Sequence, residues 1–220
     1  MSSTTADVRA VLWDADGVLQ RASGGREESM RPAVEGRVDD VDGFLVEAVR
    51  EERHALTGEV RWADVLPRLL ERWGIPDALD DLLDAWLTIK PVTESREVVR
   101  RLRAAGVGCY LATNQDEQRA SYMQRNLGYD GLLDGAFYSH VLGAAKPDPP
   151  FFEAVLGRLD LPPERVLLVD DNSGYVEAAR RLGMPAVLWC ADDGIDALLE
   201  RLAAHRLPAW AVPTTEIGHI

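Results

Sequence analysis

Five short apolar runs recur along the chain: Val8–Trp13, Val107–Thr113, Ala136–Ser139, Val166–Val169 and Ala186–Trp189. Runs this short, apolar on successive rather than alternate residues, suit strands buried on both faces. The stretches between them carry helical spacing. Val98, Val99 and Leu102 share one face, as do Phe151, Phe152, Val155, Leu156 and Leu159, and Ile195, Leu198, Leu199 and Leu202. Strands alternating with amphipathic helices predict crossover units. The expected class is α/β, a doubly wound parallel sheet with helices on both faces. Such sheets bind ligands at the carboxyl ends of their strands.

Residues 20–89 break this pattern. Trp62, Val65, Leu66, Leu69, Leu70 and Trp73 recur at helical spacing, and so do Leu79, Leu82, Leu83, Trp86 and Leu87. No strand is expected there. With Asp64 as N-cap, Pro67 falls in the first turn, where its missing N–H costs nothing. Gly74 then closes the helix. The cluster Asp39-Asp40-Val41-Asp42 before Phe44 reads as another helix N-terminus. The tryptophan stripe reads as core packing. Residues 20–89 are therefore expected to form a small all-helical unit inserted after the first strand. Residues 1–19 and 90–220 would form the sheet-bearing core. The stretch after Leu207, with two prolines, reads as a surface strand or an irregular end.

The 220 residues leave room for one domain with a sizeable insertion. Asp plus Glu number 37 against 24 Lys plus Arg, a formal charge of −13. That balance repels the phosphates of a nucleic acid and argues against such a partner. A small anion remains possible if its site supplies positive charge. No apolar run approaches the about 18 residues of a membrane span. The opening MSSTTADVRA lacks the basic start and apolar stretch of a secretory signal. Cys109 and Cys190 border apolar runs without CxxC spacing, and both are expected as buried free thiols. Together these features give a cytoplasmic location as the expectation.

Chemistry gathers at the expected strand ends. Asp14-Ala15-Asp16-Gly17-Val18 follows the first strand and Thr113-Asn114 the second. Lys146-Pro147-Asp148 precedes a helix, and Asp170-Asp171-Asn172 follows the fourth strand. Any one of these is an ordinary turn or helix start. Together, in a parallel sheet, they crowd four carboxylates at one edge. Two like charges about 4 Å apart repel by roughly 4 kcal/mol at an effective dielectric of about 20. Raised pKa values or a cation must relieve that repulsion. Mg²⁺, a hard dication with oxygen ligands, suits a few carboxylate or carbonyl groups completed by water and a phosphate oxygen. With Lys146 it would turn an acidic hollow into an anion receptor.

The motifs WDADGVL, LATNQ, AAKPDP and LLVDDNSGYVEAA, in this order and spacing, resemble the haloacid dehalogenase superfamily of hydrolases over nearly the whole chain. The likeness is to the phosphatase-like branch with a helical cap inserted after the first strand, and residues 20–89 would be that cap. The resemblance implies a Rossmann-like core and Mg²⁺-dependent phosphoryl transfer through an aspartyl-phosphate. By motif match, it implies that Asp14 is the nucleophile and a metal ligand. Asp16 would be the general acid and base, with its backbone carbonyl on Mg²⁺. Thr113 and the backbone of Asn114 would hold the phosphoryl oxygens, and Lys146 would neutralise Asp14 and the phosphate. Asp171 would be the metal ligand of the acidic pair. Asp170 would orient a metal-bound water or support Lys146, and Asn172 would back the pair. A carboxylate attacks phosphorus once metal and ammonium offset charge repulsion. Asp16 must be protonated when the alcohol leaves and ionised when water attacks.

Two positions depart from the family pattern. Trp13 stands where Phe is more frequent. Tyr175 stands where related sequences frequently carry Asn, so a supporting hydrogen bond is expected to be lost or taken over by Asn172. Asp16 separates chemistries. Dehalogenases of the superfamily generally lack an aspartate there, because a halide leaves without an acid. Phosphonate-cleaving relatives lack it too and use a cap lysine. The leading expectation is a phosphatase acting on a small phosphorylated metabolite, a phosphate ester. The alternatives are a sugar phosphomutase of the same fold, a 2-haloacid dehalogenase and a catalytically silent binding protein. A receiver domain is disfavoured by motif order, since its acidic pair comes first. Arg21, Arg26, Arg31, Arg37, Arg50, Arg53 and His54 lie in the first half of the cap. Most read as solvated or paired with neighbouring acids, with one or two left to meet a substrate. Cap hinges are expected near Leu19–Gly25 and Ile89–Thr93.

Overall fold

The structure, a computed structural model, describes residues 7–22 and 28–207. Its strands are β1 (Ala10–Trp13), β2 (Gln20–Ala22), β3 (Ile89–Pro91), β4 (Gly108–Thr113), β5 (Gly135–Tyr138), β6 (Val166–Asp170) and β7 (Ala186–Leu188). The helices are α1 (Arg31–Val34), α2 (Val41–Leu56), α3 (Trp62–Arg72), α4 (Leu79–Leu87), α5 (Thr93–Ala104) and α6 (Glu117–Asn126). They continue with α7 (Tyr129–Leu132), α8 (Ser139–Leu142), α9 (Pro149–Leu159), α10 (Ser173–Arg181) and α11 (Ile195–Ala203).

Five strands form one parallel sheet in the order β5-β4-β1-β6-β7. All of β1 and β6 is buried, which is why their sequences show no alternation. Alternate residues feed two cores. Val11, Trp13, Leu111 and Val169 pack with Val99 and Leu102 of α5 and Leu198 and Leu202 of α11. Leu12, Ala112 and Leu168 pack on the other face with Phe151, Phe152 and Val155 of α9 and Val176 and Ala179 of α10. The α/β doubly wound sheet is thus present.

The chain leaves β1 towards β4 and β5, then crosses to the other side for β6 and β7. The ends of β1, β4 and β6 therefore stand side by side where the winding reverses, the crevice in which open parallel sheets bind ligands. Register sets Trp13 opposite both Leu111 and Val169. Asp14 consequently leaves the sheet level with Asp170, and its N–H donates to the Val169 carbonyl at 2.9 Å.

The helices α1 to α4 surround a separate apolar cluster drawn from residues 30–86, including Phe44, Trp62, Leu69, Leu82 and Trp86. The N-terminus of α2 is as expected: Asp40 caps it, accepting from the Gly43 N–H at 2.8 Å. Gly74 follows α3 with φ +72°, and the Ile75 N–H reaches back to the Leu70 carbonyl at 2.9 Å, a left-handed helix stop.

Three expectations change. The segment flanking the helices does contain strand: β2 and β3 pair antiparallel, Gln20 with Pro91 and Ala22 with Ile89. Three residues are too few to show a period, and the partner lies beyond the whole helical segment. Second, α3 starts at Trp62 with Arg61 as N-cap, so Pro67 lies inside the helix. Trp62 is buried, and its N–H is taken by Glu117 Oε2 of α6 at 3.2 Å. A carboxylate from another element does the work assigned to Asp64. Third, Cys190 is only half-buried, whereas Cys109 is fully buried and both are free. Burial pushes the Cys109 thiol up to about 12, which makes it an inert core residue. Among the described residues no helix is long and apolar enough to cross a membrane. The stretch after Leu207, Arg26 and part of the first expected hinge lie outside the described residues.

Candidate active site

Asp14, Lys146 and Asp170 form a buried ion-paired trio. Lys146 Nζ lies 2.8 Å from Asp14 Oδ1 and 2.6 Å from Asp170 Oδ2. The other oxygen of Asp170 accepts from the Asn172 N–H at 2.9 Å. Asp171 sits on the rim, and one carboxylate oxygen each from Asp14, Asp170 and Asp171 lie within 4.8 Å of one another. One ammonium faces three carboxylates. Burial pushes the Asp14 carboxyl up to about 7, with Lys146 opposing and Asp170 and Asp171 adding to the rise. Burial and then Asp170 push Asp171 to about 6. For Lys146, burial works against the charge, but Asp14 and Asp170 outweigh it and hold the group above the ordinary lysine range. These shifts measure how poorly the cluster tolerates its own negative charge.

Gly17 explains how Asp171 comes so close. Its φ is +77°, and a Cβ there would stand 2.1 Å from Asp171 Oδ2. Only glycine admits both that backbone and that neighbour. The turn after β1 therefore accepts the Asp171 carboxylate directly against its backbone. An all-oxygen donor set with excess negative charge fits a hard dication and offers nothing to a soft one.

Thr113 and Asn114 end β4 beside this trio. The Asn114 side chain is committed to Lys146: Nδ2 donates to the Lys146 carbonyl at 2.8 Å, and Oδ1 accepts from the Lys146 N–H at 2.9 Å. This two-point clamp fixes the loop that carries the ammonium. Tyr175 replaces the expected support in its own way. Its hydroxyl oxygen accepts from Asn114 Nδ2 at 3.3 Å, and its ring centroid lies 5.1 Å from Lys146 Nζ. Asn172 does not take over that bond. Its side chain caps α10, accepting from Gly174 N–H at 2.9 Å. Burial raises the pKa of Tyr175, with Lys146 opposing.

Asp16 is held by residues that motif reading misses. Its carboxylate accepts from Gln20 Nε2 at 2.9 Å, Gln115 Nε2 at 2.8 Å and Arg119 Nη2 at 2.5 Å. Gln115 also donates to Thr113 Oγ1 at 3.3 Å. A usable signal for Arg119 did exist. It stands next to Ala120 and four residues before Met123, on the buried face of α6. A cation on an apolar face requires an anionic partner.

Asp14, Asp16, Thr113, Asn114, Asp171 and Asn172 line one cavity of about 850 Å³. Lys146 and Asp170 lie buried just beneath it. The mouth adds Arg21 of β2, Tyr175, Cys190 and Asp192. Arg21 pairs with Asp192 at 2.8 Å across it. Four other candidate cations of the helical segment pair with acids outside the cavity lining. Arg31 pairs with Glu28 and Asp42, Arg37 with Asp77 and Asp81, Arg50 with Glu47, and His54 with Glu59.

Comparison with known proteins agrees with this geometry. A family model described as haloacid dehalogenase-like hydrolase matches residues 8–183. A phosphorylated carbohydrates phosphatase of Thermotoga maritima is 28% identical over 205 residues, covering 88% of this chain and 91% of the relative. An (S)-2-haloacid dehalogenase of Pseudomonas putida is 30% identical over 121 residues, 51% of either chain. A solved HAD family enzyme of Bacteroides thetaiotaomicron shares the fold with TM-score 0.74 at 18% identity, over 88% of this chain and 98% of that one.

Proposed function

The chain belongs to the haloacid dehalogenase-like hydrolases, and from that premise we propose that it is a Mg²⁺-dependent phosphatase acting on a small phosphorylated metabolite. The observation that carries this reading is Asp16. Its carboxyl stands at the wall of the cavity, aimed by Gln20, Gln115 and Arg119; once protonated it can deliver a proton to a leaving alcohol, whereas a halide needs none. The phosphatase relative covers nearly all of the chain, the dehalogenase about half.

In this reading residues 1–19 and 90–220 form the catalytic core and residues 20–89 the cap. Asp14, Asp171 and the backbone carbonyl of Asp16 would hold Mg²⁺, and the ion would supply charge neutralisation for the phosphoryl group. The known magnesium complex of the Bacteroides fold neighbour supports that choice of ion. A carboxylate oxygen of Asp14 attacks phosphorus while the bond from phosphorus to the ester oxygen breaks. Asp16 gives its proton to the departing alkoxide. Thr113 and the backbone of Asn114 bind the equatorial oxygens, and Lys146 offsets their charge. Water then attacks the aspartyl-phosphate, Asp16 takes a proton from it, and Asp14 leaves as a carboxylate. Asp170, paired with Lys146 at 2.6 Å, keeps the ammonium in place.

Phosphate release from a panel of phosphorylated metabolites tests the proposal. Turnover is expected with Mg²⁺, absent with EDTA, and reduced at least about 10³-fold in Asp14→Asn. Chloride release from 2-chloropropionate without phosphate release would turn the assignment to dehalogenation. Undiminished turnover by Asp14→Asn would remove Asp14 as nucleophile.

A further inference from the structure

A single buried arginine joins Asp16 to the helical segment. Arg119, in the first turn of α6, is fully buried. Its Nη2 donates to Asp16 Oδ1 at 2.5 Å, and its Nη1 donates to the Trp86 carbonyl of α4 at 2.6 Å. The guanidinium carbon also lies 5.1 Å from the centroid of the Trp86 ring. Neighbouring residues at the start of α6 hold Trp86 and a second tryptophan, Trp62. Asp116 accepts from Trp86 Nε1 at 3.1 Å, and Glu117 accepts from the Trp62 N–H at 3.2 Å. The rings of Trp62 and Trp86 are 6.0 Å apart within the core of the helical segment.

The physics of this arrangement is directional. A guanidinium is a rigid planar fork, so two of its nitrogens cannot keep both bonds unless both partners stay in place. Breaking one side of a buried charged pair is far more costly than forming it is favourable. Arg119 thus bonds both α4 and the Asp16 carboxylate. Gln20 and Gln115 hold Asp16 from β2 and from the loop after β4, independently of α4.

We propose that Arg119 is a positioning residue, which makes the aim of Asp16 at the leaving-group oxygen depend on the seating of α4 against α6. This rests on the reading of Asp16 as general acid and base. Displacing α4 takes the Trp86 carbonyl and ring from the guanidinium, which no longer holds Asp16 Oδ1 in a fixed direction, and Gln20 and Gln115 alone keep the carboxylate near the site. Seating α4 restores both. The site thereby protonates a leaving alkoxide more effectively while the helical segment is docked.

The leaving group provides the test. The ratio kcat/KM reports the steps through phosphoryl transfer to Asp14. A simple alkyl phosphate needs a proton on its leaving oxygen; p-nitrophenyl phosphate, with its stable phenolate, does not. For Arg119→Gln, kcat/KM is expected to fall about 100-fold for the alkyl ester and less than about 5-fold for the aryl ester. Arg119→Lys should recover part of the loss. Trp86→Phe, which keeps a ring but removes the N–H bonded to Asp116, should show the same bias more weakly. Equal losses for both esters, or none, overturn the proposal, since a purely structural role has no leaving-group preference. If Arg119→Gln fails to fold, the Lys and Phe variants carry the comparison. Hydrogen exchange reads the tie without turnover: Arg119→Gln should speed exchange in residues 79–87 and leave 108–113 unchanged, and unchanged exchange in 79–87 also overturns it. A wild type that hydrolyses neither these esters nor any phosphorylated metabolite of the panel ends the phosphatase reading, and exchange then decides the tie on its own.

Discussion

Asp14 and Asp171 carry the energetic signature of the site. Their carboxyls sit at about 7 and about 6, above the ordinary 3.8. A raised carboxyl contributes stability that is complete below about pH 4 and is lost as pH rises through the folded value. Metal-free protein therefore loses this contribution between about pH 4 and 7. A dication competes with the same protons, so its affinity grows as they leave. The rise in Tm on adding Mg²⁺ is expected to be small at about pH 5 and to grow steadily to about pH 8, and Asp14→Asn should flatten the trend. Thermal melts with Mg²⁺ or EDTA at each pH check this. His205, whose pKa is lowered by burial, titrates in both arms and cancels in the difference. A Mg²⁺ gain independent of pH would separate the metal from these carboxylates. At this scale the sequence was informative wherever chemistry follows a strand end directly, as at Asp14, Thr113 and Asp170. The place of Arg119 on the buried face of α6 calls for an anionic partner, but local sequence does not say that the partner is Asp16, 103 residues away. Asn114 was assigned through its backbone, whereas its side chain proves to be the clamp on the Lys146 loop.

Elements were legible in proportion to how much apolar surface each buries. The central strands β1 and β6 are wholly buried and β4 largely so, and the apolar runs mark the strands of the parallel sheet to within a residue or two. β2 and β3 bury little, span three residues each and depend on a partner across the helical segment, so no local pattern revealed them. The start of α3 was misplaced for a related reason: its capping carboxylate, Glu117, belongs to α6. The helical segment has its own core, and Leu69 lies fully buried within it. Leu69→Ala is expected to lower stability by about 2–5 kcal/mol, measured by urea unfolding. Because Leu69 packs in that separate cluster, Mg²⁺ affinity of the folded variant should stay within about 2-fold of wild type, which titration calorimetry at low denaturant-free temperature can check. A smaller loss, or one accompanied by weakened Mg²⁺ binding, would mean that the two cores are not energetically separate.

At the scale of the whole molecule, a chain of net charge −13 presents a cavity whose floor is a buried ammonium between two aspartates. The topology makes this possible. Reversal of the winding between β4, β1 and β6 brings residues from four distant motifs to one edge, and the cavity opens there. We propose that Asp14 at this edge accepts a phosphoryl group. The most direct measurement quenches the Mg²⁺-loaded enzyme during turnover of p-nitrophenyl phosphate with borohydride, which reduces an acyl phosphate to an alcohol, and maps the product by peptide mass spectrometry. Homoserine is expected at position 14, and is expected to be absent without substrate and with EDTA. Phosphate release with an unmodified position 14, or with the reduced residue at Asp170 or Asp171 instead, would contradict it.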